Sequence, residues 1–326
     1  MHPIISEDME RVRRIVEDEC RMSGLRTFDG DGALISGWGK MLRPQLVVLA
    51  ARLSGCPGDS HITCAAGLEL LHNSTLVHDD IIDSAVLRRG RETVNALYGD
   101  NTAILAGNIL AARSFSVIAG CGDARIFSAA AKCCEDINYG QLLELEYKGS
   151  LDCGIDTYFE IISHKTASLI ETCLVAGGLA ASAGDEALDL FREIGFRTGR
   201  LFQIADDVFD YLEDEKKTGK RRFQDVGEGK MTLPAVYFVQ ACAPDEKEFF
   251  RSLLGKPDVS GPDGGKLISM MERYRIFSRI NGEYSAAHEE IGRLMDGMKE
   301  NEYLPHFKAL IENIAGRMYE CTKGYL

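Results

Sequence analysis

The sequence predicts an all-α protein of many helices, and three observations predict it. Proline is scarce, with eight in 326 residues, and apolar residues recur at helical spacing, as in Ile104, Leu105, Ile109 and Leu110. Strand-like alternation bounded by turn signals is hard to find anywhere. The elements follow in order from the breaks between them. The first break is "LSGCPGDS" (53–60). The helical stretches after it hold "LVHDDIIDS" (76–84) and the apolar "TAILAGNILAARSFSVIAG" (102–120), and they end at "GCGDAR" (120–125). "KGSLDCGID" (148–156) and "SAGDEA" (182–187) come next. Between them lies "TCLVAGGLAASAG" (172–184), whose Gly177 and Gly178 let neighbouring helices approach closely. A helix with "FQIADDVFDY" (202–211) runs into "EDEKKTGKRRFQDVGEGKMTLP" (213–234), a charged loop long enough to expect function of it. "LGKPDVSGPDGGK" (254–266) is the last break. No linker is rich enough in Pro, Gly or Ser to divide the chain, so 1–326 reads as one domain.

Composition narrows the function. A formal charge of −13 argues against nucleic acid as the main partner, because a phosphate backbone attracts basic surfaces. The ten cysteines show no CxxC pair, and "MHPIISEDMERVRR" is charged from its seventh residue. Reduced thiols in a cytoplasmic protein are expected, without a zinc site. Asn108 and Arg113 interrupt the 102–120 stretch, and 172–184 falls short of the roughly 20 residues of a membrane span. Both are expected to be buried helices.

The two acidic segments carry the chemistry. Each places Asp-Asp-x-x-Asp in an apolar helical context: Asp79, Asp80 and Asp83, then Asp206, Asp207 and Asp210. Residues three or four apart share one helix face, so like charges stack there and need a cation to offset them. Carboxylate oxygens alone point to Mg²⁺, which fills its shell with water and substrate phosphate. Two facing acidic helices holding such ions with a bridging anion are expected. Arg88 and Arg89 can fork onto phosphate oxygens, and Lys40, Arg43, Lys165, Lys220 and Lys230 sit near other landmarks. In so acidic a chain, these cations suggest a polyphosphate substrate.

Blander readings compete. A single DDxxD is more often a solvated acidic face; the pair, each with basic residues near it, reverses those odds. "ELLH" (69–72) fits the Glu-x-x-His of a di-iron bundle, but that site needs two such motifs, and only one is found. "GEGKMT" does not complete a P-loop.

"GKMLRP", "HDDIIDSAVLRRG", "HKTA" and "GRLFQIADDVFDYLEDEKKTGKRRFQDVGEGKMTLP" resemble, in order and spacing, the trans-prenyl diphosphate synthases, the all-α family of isoprenoid chain elongation. The resemblance runs from about residue 38 to 235. It implies a helix bundle around a central elongated apolar cavity, with Mg²⁺ as cofactor, three ions per active site. An allylic diphosphate is then held through metal by Asp79, Asp83 and Asp206, with Asp80, Asp207 and Asp210 close by. Arg88, Lys165, Lys220 and Lys230 contact its phosphates, and isopentenyl diphosphate binds Lys40, Arg43, His72 and Arg89. Thr166 and Gln203 stand near the carbocation. A homodimer is implied, and transient membrane contact would serve release of an apolar product. The chain departs from the family at Trp38 and Met41, where glycine and a basic residue are usual, at "RRFQ" after Lys220, and at Asn108.

Product length is expected from positions before Asp79. One helical turn rises about 5.4 Å, close to an isoprene unit. Ser74 and Thr75 are small where short-chain members place an aromatic, so a product longer than farnesyl is expected, a quinone side-chain precursor above all. Leu71, Leu68 and Phe115 are candidates for a deeper floor. Rival readings are a farnesyl diphosphate synthase, a terpene cyclase and a non-catalytic subunit of a two-component synthase. A cyclase usually has a different second motif and lacks "GKMLRP", and a silent subunit usually loses its acidic motifs.

Overall fold

A computed structural model describes residues 2–21, 39–212, 222–256, 258–259 and 261–318. They form fifteen α-helices: α1 Pro3–Cys20, α2 Leu42–Leu53, α3 Ser60–Ile82, α4 Val94–Tyr98, α5 Asp100–Ala119, α6 Ala124–Glu146, α7 Ile155–Ile162, α8 Ser168–Ala180, α9 Asp185–Leu212, α10 Gln224–Gly227, α11 Leu233–Ala241, α12 Pro244–Leu253, α13 Pro262–Arg273, α14 Ile276–Asp296 and α15 Leu304–Ala315. The fold is all-α, and the breaks at 53–60, 120–125, 148–156, 182–187 and 254–266 fall at element boundaries; of the expected loop 213–234, residues 213–221 lie outside the described residues and α10 interrupts the rest. None of the nine described cysteines is in a disulfide.

Two features were not expected. A two-residue hairpin pairs β1, Leu87–Arg88, with β2, Arg91–Glu92. Arg89 and Gly90 turn it with φ of 53° and 75°, the positive pair that a tight hairpin requires. A single π-helical turn, Ser163–Ala167, joins α7 to α8 and carries Lys165 and Thr166. Such turns interrupt helices most often at functional sites.

The chain divides into two compact units. The first comprises Met1–Cys134, Ile170–Arg192 and Lys299–Phe307. Here α1 buries Ile5, Asp8, Val12, Val16 and Cys20 at helical spacing, after Pro3 at its first turn and a His2 side-chain cap. α3 is buried at every residue from Cys64 to Ser74. A Cβ on Gly177 would collide with the Val47 carbonyl, and one on Gly178 would lie 2.8 Å from Leu188, so these two glycines do admit close neighbours. Among the described residues α5 is the one helix long and apolar enough to cross a membrane, by length and composition, and only one side of it is buried. The second unit comprises Glu135–Leu169, Glu193–Met298 and Lys308–Leu326. Its core is aromatic: Tyr211 packs edge-on to Phe223, and Phe238 to Phe250 and Tyr274.

Candidate active site

The first unit holds the first acidic segment. Asp79 and Asp80 end α3, and Asp83 caps it, its N–H donating to the Asp79 carbonyl at 2.9 Å. Asp80 is buried, and Arg88 from the hairpin donates to its Oδ1 through Nε at 2.8 Å and a terminal nitrogen at 2.7 Å. The hairpin turn, not a helix, therefore presents Arg88 and Arg89. A Cβ on Gly39 would lie 2.6 Å from the Arg89 guanidinium, so the "GKMLRP" segment and Arg89 meet closely.

His72, two turns before Asp79, is buried; burial first, then the charges of Arg43, Arg89 and Arg88, hold its pKa well below the ordinary value. It is therefore a neutral hydrogen-bonding group near pH 7. Arg43 keeps a buried Nε with no hydrogen-bond partner. An orphaned guanidinium nitrogen of this kind is a place for an anion. Lys40 is exposed just ahead of α2, and Met41, buried, opens that helix with φ of 51°. Ser74 is buried with its hydroxyl on the Leu71 carbonyl, Thr75 is half-buried, Leu71 and Leu68 are fully buried, and Phe115 packs on Phe127.

In the second unit, a pocket partly open to solvent is lined by Lys165, Thr166, Gln203, Asp207 and Lys230 among others. Thr166 Oγ1 donates to Gln203 Oε1 at 2.7 Å, Gln203 Nε2 donates to Asp207 Oδ1 at 2.8 Å, and Tyr158 donates to Asp207 Oδ2 at 2.7 Å. The chain of bonds fixes all four side chains. Lys165 pairs with Glu144 at 2.6 Å and Lys230 with Glu228 at 2.6 Å. Burial, then the charge of Asp225, pushes the Asp207 carboxyl up to about 8. The same two causes raise Asp210, whose oxygens accept from the backbone N–H groups of Gln224 and Asp225.

Crowded carboxylates held above their ordinary range call for a cation. Among the described residues no three His, Cys, Asp or Glu side chains form a metal cage. A donor set of aspartate oxygens without a cage fits Mg²⁺, which takes one or two carboxylates and completes its octahedron from water and phosphate; it does not fit a structural zinc.

The sequence reading missed Asp225, Glu144 and Tyr158, which lie against its own candidates. Asp225 stands five residues before Lys230 and Glu144 two before Glu146, without the repeated spacing that marked the triads. Lys220 and Trp38 lie outside the described residues.

The polyprenyl synthetase family model matches residues 32–268. The chain belongs to the polyprenyl synthetase family. It is 33% identical over 278 residues to an octaprenyl diphosphate synthase of Escherichia coli (strain K12), covering 85% of each chain. It is 35% identical over 250 residues to a geranylgeranyl diphosphate synthase of Saccharolobus solfataricus, covering 74% of this chain and 75% of that one. A Caulobacter crescentus CB15 polyprenyl synthase, crystallised with calcium and isoprenyl diphosphate, matches with a TM-score of 0.88 at 27% identity over 97% of this chain and 96% of that one. As a polyprenyl synthetase the chain is an enzyme, a prenyltransferase of the trans-polyprenyl diphosphate synthase class, with the isoprenoid synthase fold of its structural relatives.

Proposed function

We propose that the chain joins an allylic diphosphate head-to-tail to isopentenyl diphosphate, acting as one domain over 1–326 and giving a trans-polyprenyl diphosphate longer than farnesyl. One observation carries this reading: each unit's cluster asks for the charge that a magnesium diphosphate supplies. Arg43 has a buried nitrogen without an acceptor, beside Arg88 and Arg89, and burial with the charge of Asp225 pushes the Asp207 carboxyl up to about 8.

Asp79, Asp83 and Asp206 would hold Mg²⁺, three ions in all, with Asp207 and Asp210 behind them; when bound, the metal neutralises the departing diphosphate. Asp80 serves mainly to aim Arg88. Lys40, Arg43, His72 and Arg89 bind isopentenyl diphosphate, His72 as a neutral donor. Lys165 and Lys230, with Arg88 and Lys220, take the allylic phosphates, Glu144 aiming Lys165. The Gln203 oxygen already accepts from Thr166, so the Thr166 hydroxyl oxygen is left to turn its lone pairs toward a carbocation. The double bond of isopentenyl diphosphate attacks, a proton leaves, and the chain is five carbons longer. Nothing here needs a side-chain nucleophile, and a dry pocket protects the cation.

The two closely similar enzymes named above make products longer than farnesyl, and Ser74 and Thr75 leave no aromatic stop. A homodimer and a cytoplasmic location complete the proposal, with transient membrane contact for product release. The decisive experiment supplies farnesyl and isopentenyl diphosphates with Mg²⁺ to the isolated chain, follows pyrophosphate release and sizes the products. Geranylgeranyl or longer products are expected; no pyrophosphate release sinks the enzyme assignment, and failure to extend farnesyl sinks the length. In the same assay Ser74→Phe shortens the products, and unchanged length places the tail elsewhere.

A further inference from the structure

Arg317 lies in the turn just after α15, far in sequence from both acidic segments. Its guanidinium donates to Asp206 Oδ1 at 2.8 Å. It also stands 4.8 Å from the ring centre of Phe202 and 5.1 Å from that of Phe209. Phe202, Asp206 and Phe209 follow one another at spacings of four and three, so one face of α9 presents ring, carboxylate and ring in a row. The arginine sits in that slot, held by two aromatic faces and one anion.

Asp206 differs here from its neighbours. Tyr158 and Gln203 hold Asp207, and backbone N–H groups hold Asp210. Asp206 instead meets a cation from the turn after α15. The two side chains of this pair are 32% and 41% exposed, so water and ions reach it and the bond is exchangeable.

We propose that Arg317 is a placeholder at the metal–diphosphate site: it occupies Asp206 until the divalent cation arrives and competes with that cation for the carboxylate. The proposal rests on the magnesium reading of the second acidic segment given above. A guanidinium brings one charge, spread over three nitrogens, whereas Mg²⁺ brings two at a point and binds phosphate at the same time. The metal therefore wins when diphosphate is present, at a cost set by the Arg317 contact. The aromatic slot keeps the displaced arginine beside the site, so binding of metal is coupled to the turn after α15.

The test is calorimetric titration of Mg²⁺ into the full chain in saturating inorganic pyrophosphate. Arg317→Gln removes the competitor and tightens Mg²⁺ binding by about fivefold, equivalent to about 1 kcal/mol at 1.4 kcal/mol per decade. Arg317→Lys keeps the charge without the planar stacking, and tightens binding by about twofold. Asp206→Asn weakens binding, and on that background Arg317→Gln has no further effect, because the contested carboxylate is gone. Unchanged or weaker Mg²⁺ binding by Arg317→Gln in the otherwise native chain overturns the proposal, as does an equal effect on the Asp206→Asn background. If Arg317→Gln does not fold, Arg317→Lys decides by the same comparison, unchanged affinity overturning the proposal. Absence of Mg²⁺ binding by the native chain, seen before any variant is made, brings down the magnesium reading and this inference with it.

Discussion

His61, fully buried in the first unit, sits between two partners: its Nε2 is 3.2 Å from Asp8 Oδ2 and its Nδ1 is 3.5 Å from the Cys56 sulfur. Arg52 already neutralises Asp8 through two hydrogen bonds of 2.7 and 2.8 Å. A second positive charge on His61 would have no anion of its own. Burial accordingly holds its pKa below the ordinary value, even against the pull of Asp8. Below about pH 6.5 the unfolded histidine takes a proton that the folded one refuses, so stability is lost as pH falls toward the depressed folded pKa, at up to about 1.4 kcal/mol per pH unit. His72, also buried and lowered, contributes with the same sign. Thermal melts between pH 7 and 5 should show His61→Gln losing less stability toward acid than the native chain, the raised Asp207 and Asp210 acting in both with the opposite sign; an unaltered pH dependence refutes the assignment. The aspartate triads were legible in the sequence because carboxylates at helical spacing are improbable without a cation. Asp8 was not, because an isolated aspartate on an amphipathic helix looks solvated until Arg52 and His61 are placed around it.

At the scale of elements, the π-turn Ser163–Ala167 decides where Lys165 and Thr166 stand. Two helices press on it through glycines. A Cβ on Gly140 of α6 would lie 2.6 Å from the Lys165 backbone nitrogen, and one on Gly199 of α9 would lie 2.5 Å from the Ala167 Cα. Both obstacles are backbone, which cannot swing aside as a side chain does. Gly199→Ala should therefore destabilise by about 1–3 kcal/mol and, by shifting Lys165 and Thr166, lower kcat by about tenfold or more. Gly154→Ala is the control: a Cβ there meets nothing within 4 Å, and Gly154 has φ of −84°. Melting temperature and turnover measured on both variants check the expectation, and equal behaviour of the two defeats it. The helix breaks were readable because glycine, proline and aspartate cluster where helices stop. The π-turn was not, because "SHKTA" contains no breaker and the extra residue is imposed by the packing around it. The hairpin escaped for a related reason: "RRG" offers one glycine where the turn needs two positive φ angles, and Arg89 adopts the second.

At the scale of the whole molecule, one exposed apolar surface among the described residues is the outward side of α4 and α5. Leu97 is 50% exposed, Ile104 43% and Leu105 63%, an unusual run of large apolar side chains facing water. The sequence reading expected α5 to be buried, since its apolar stretch is continuous; the fold buries one stripe of it, Ala103, Ala106, Gly107, Leu110, Ser114 and Ile118, and leaves the other outside. A lipid environment suits that outer stripe poorly, because the exposed Asn101 and Asn108 lie on it two turns apart and their amides would need hydrogen-bonding partners that hydrocarbon does not supply. A protein surface supplies both apolar contact and such partners. The proposed homodimer is the simplest such surface, since a two-fold interface sets the same stripe against itself. Leu105→Arg then puts like charges opposite each other at the axis. Sedimentation at micromolar concentration should give a dimer for the native chain and a monomer for Leu105→Arg, and the melting temperature should rise with protein concentration only for the native chain. A native chain that sediments as a monomer, or a Leu105→Arg dimer as stable as the native one, would assign the exposed stripe to some other partner.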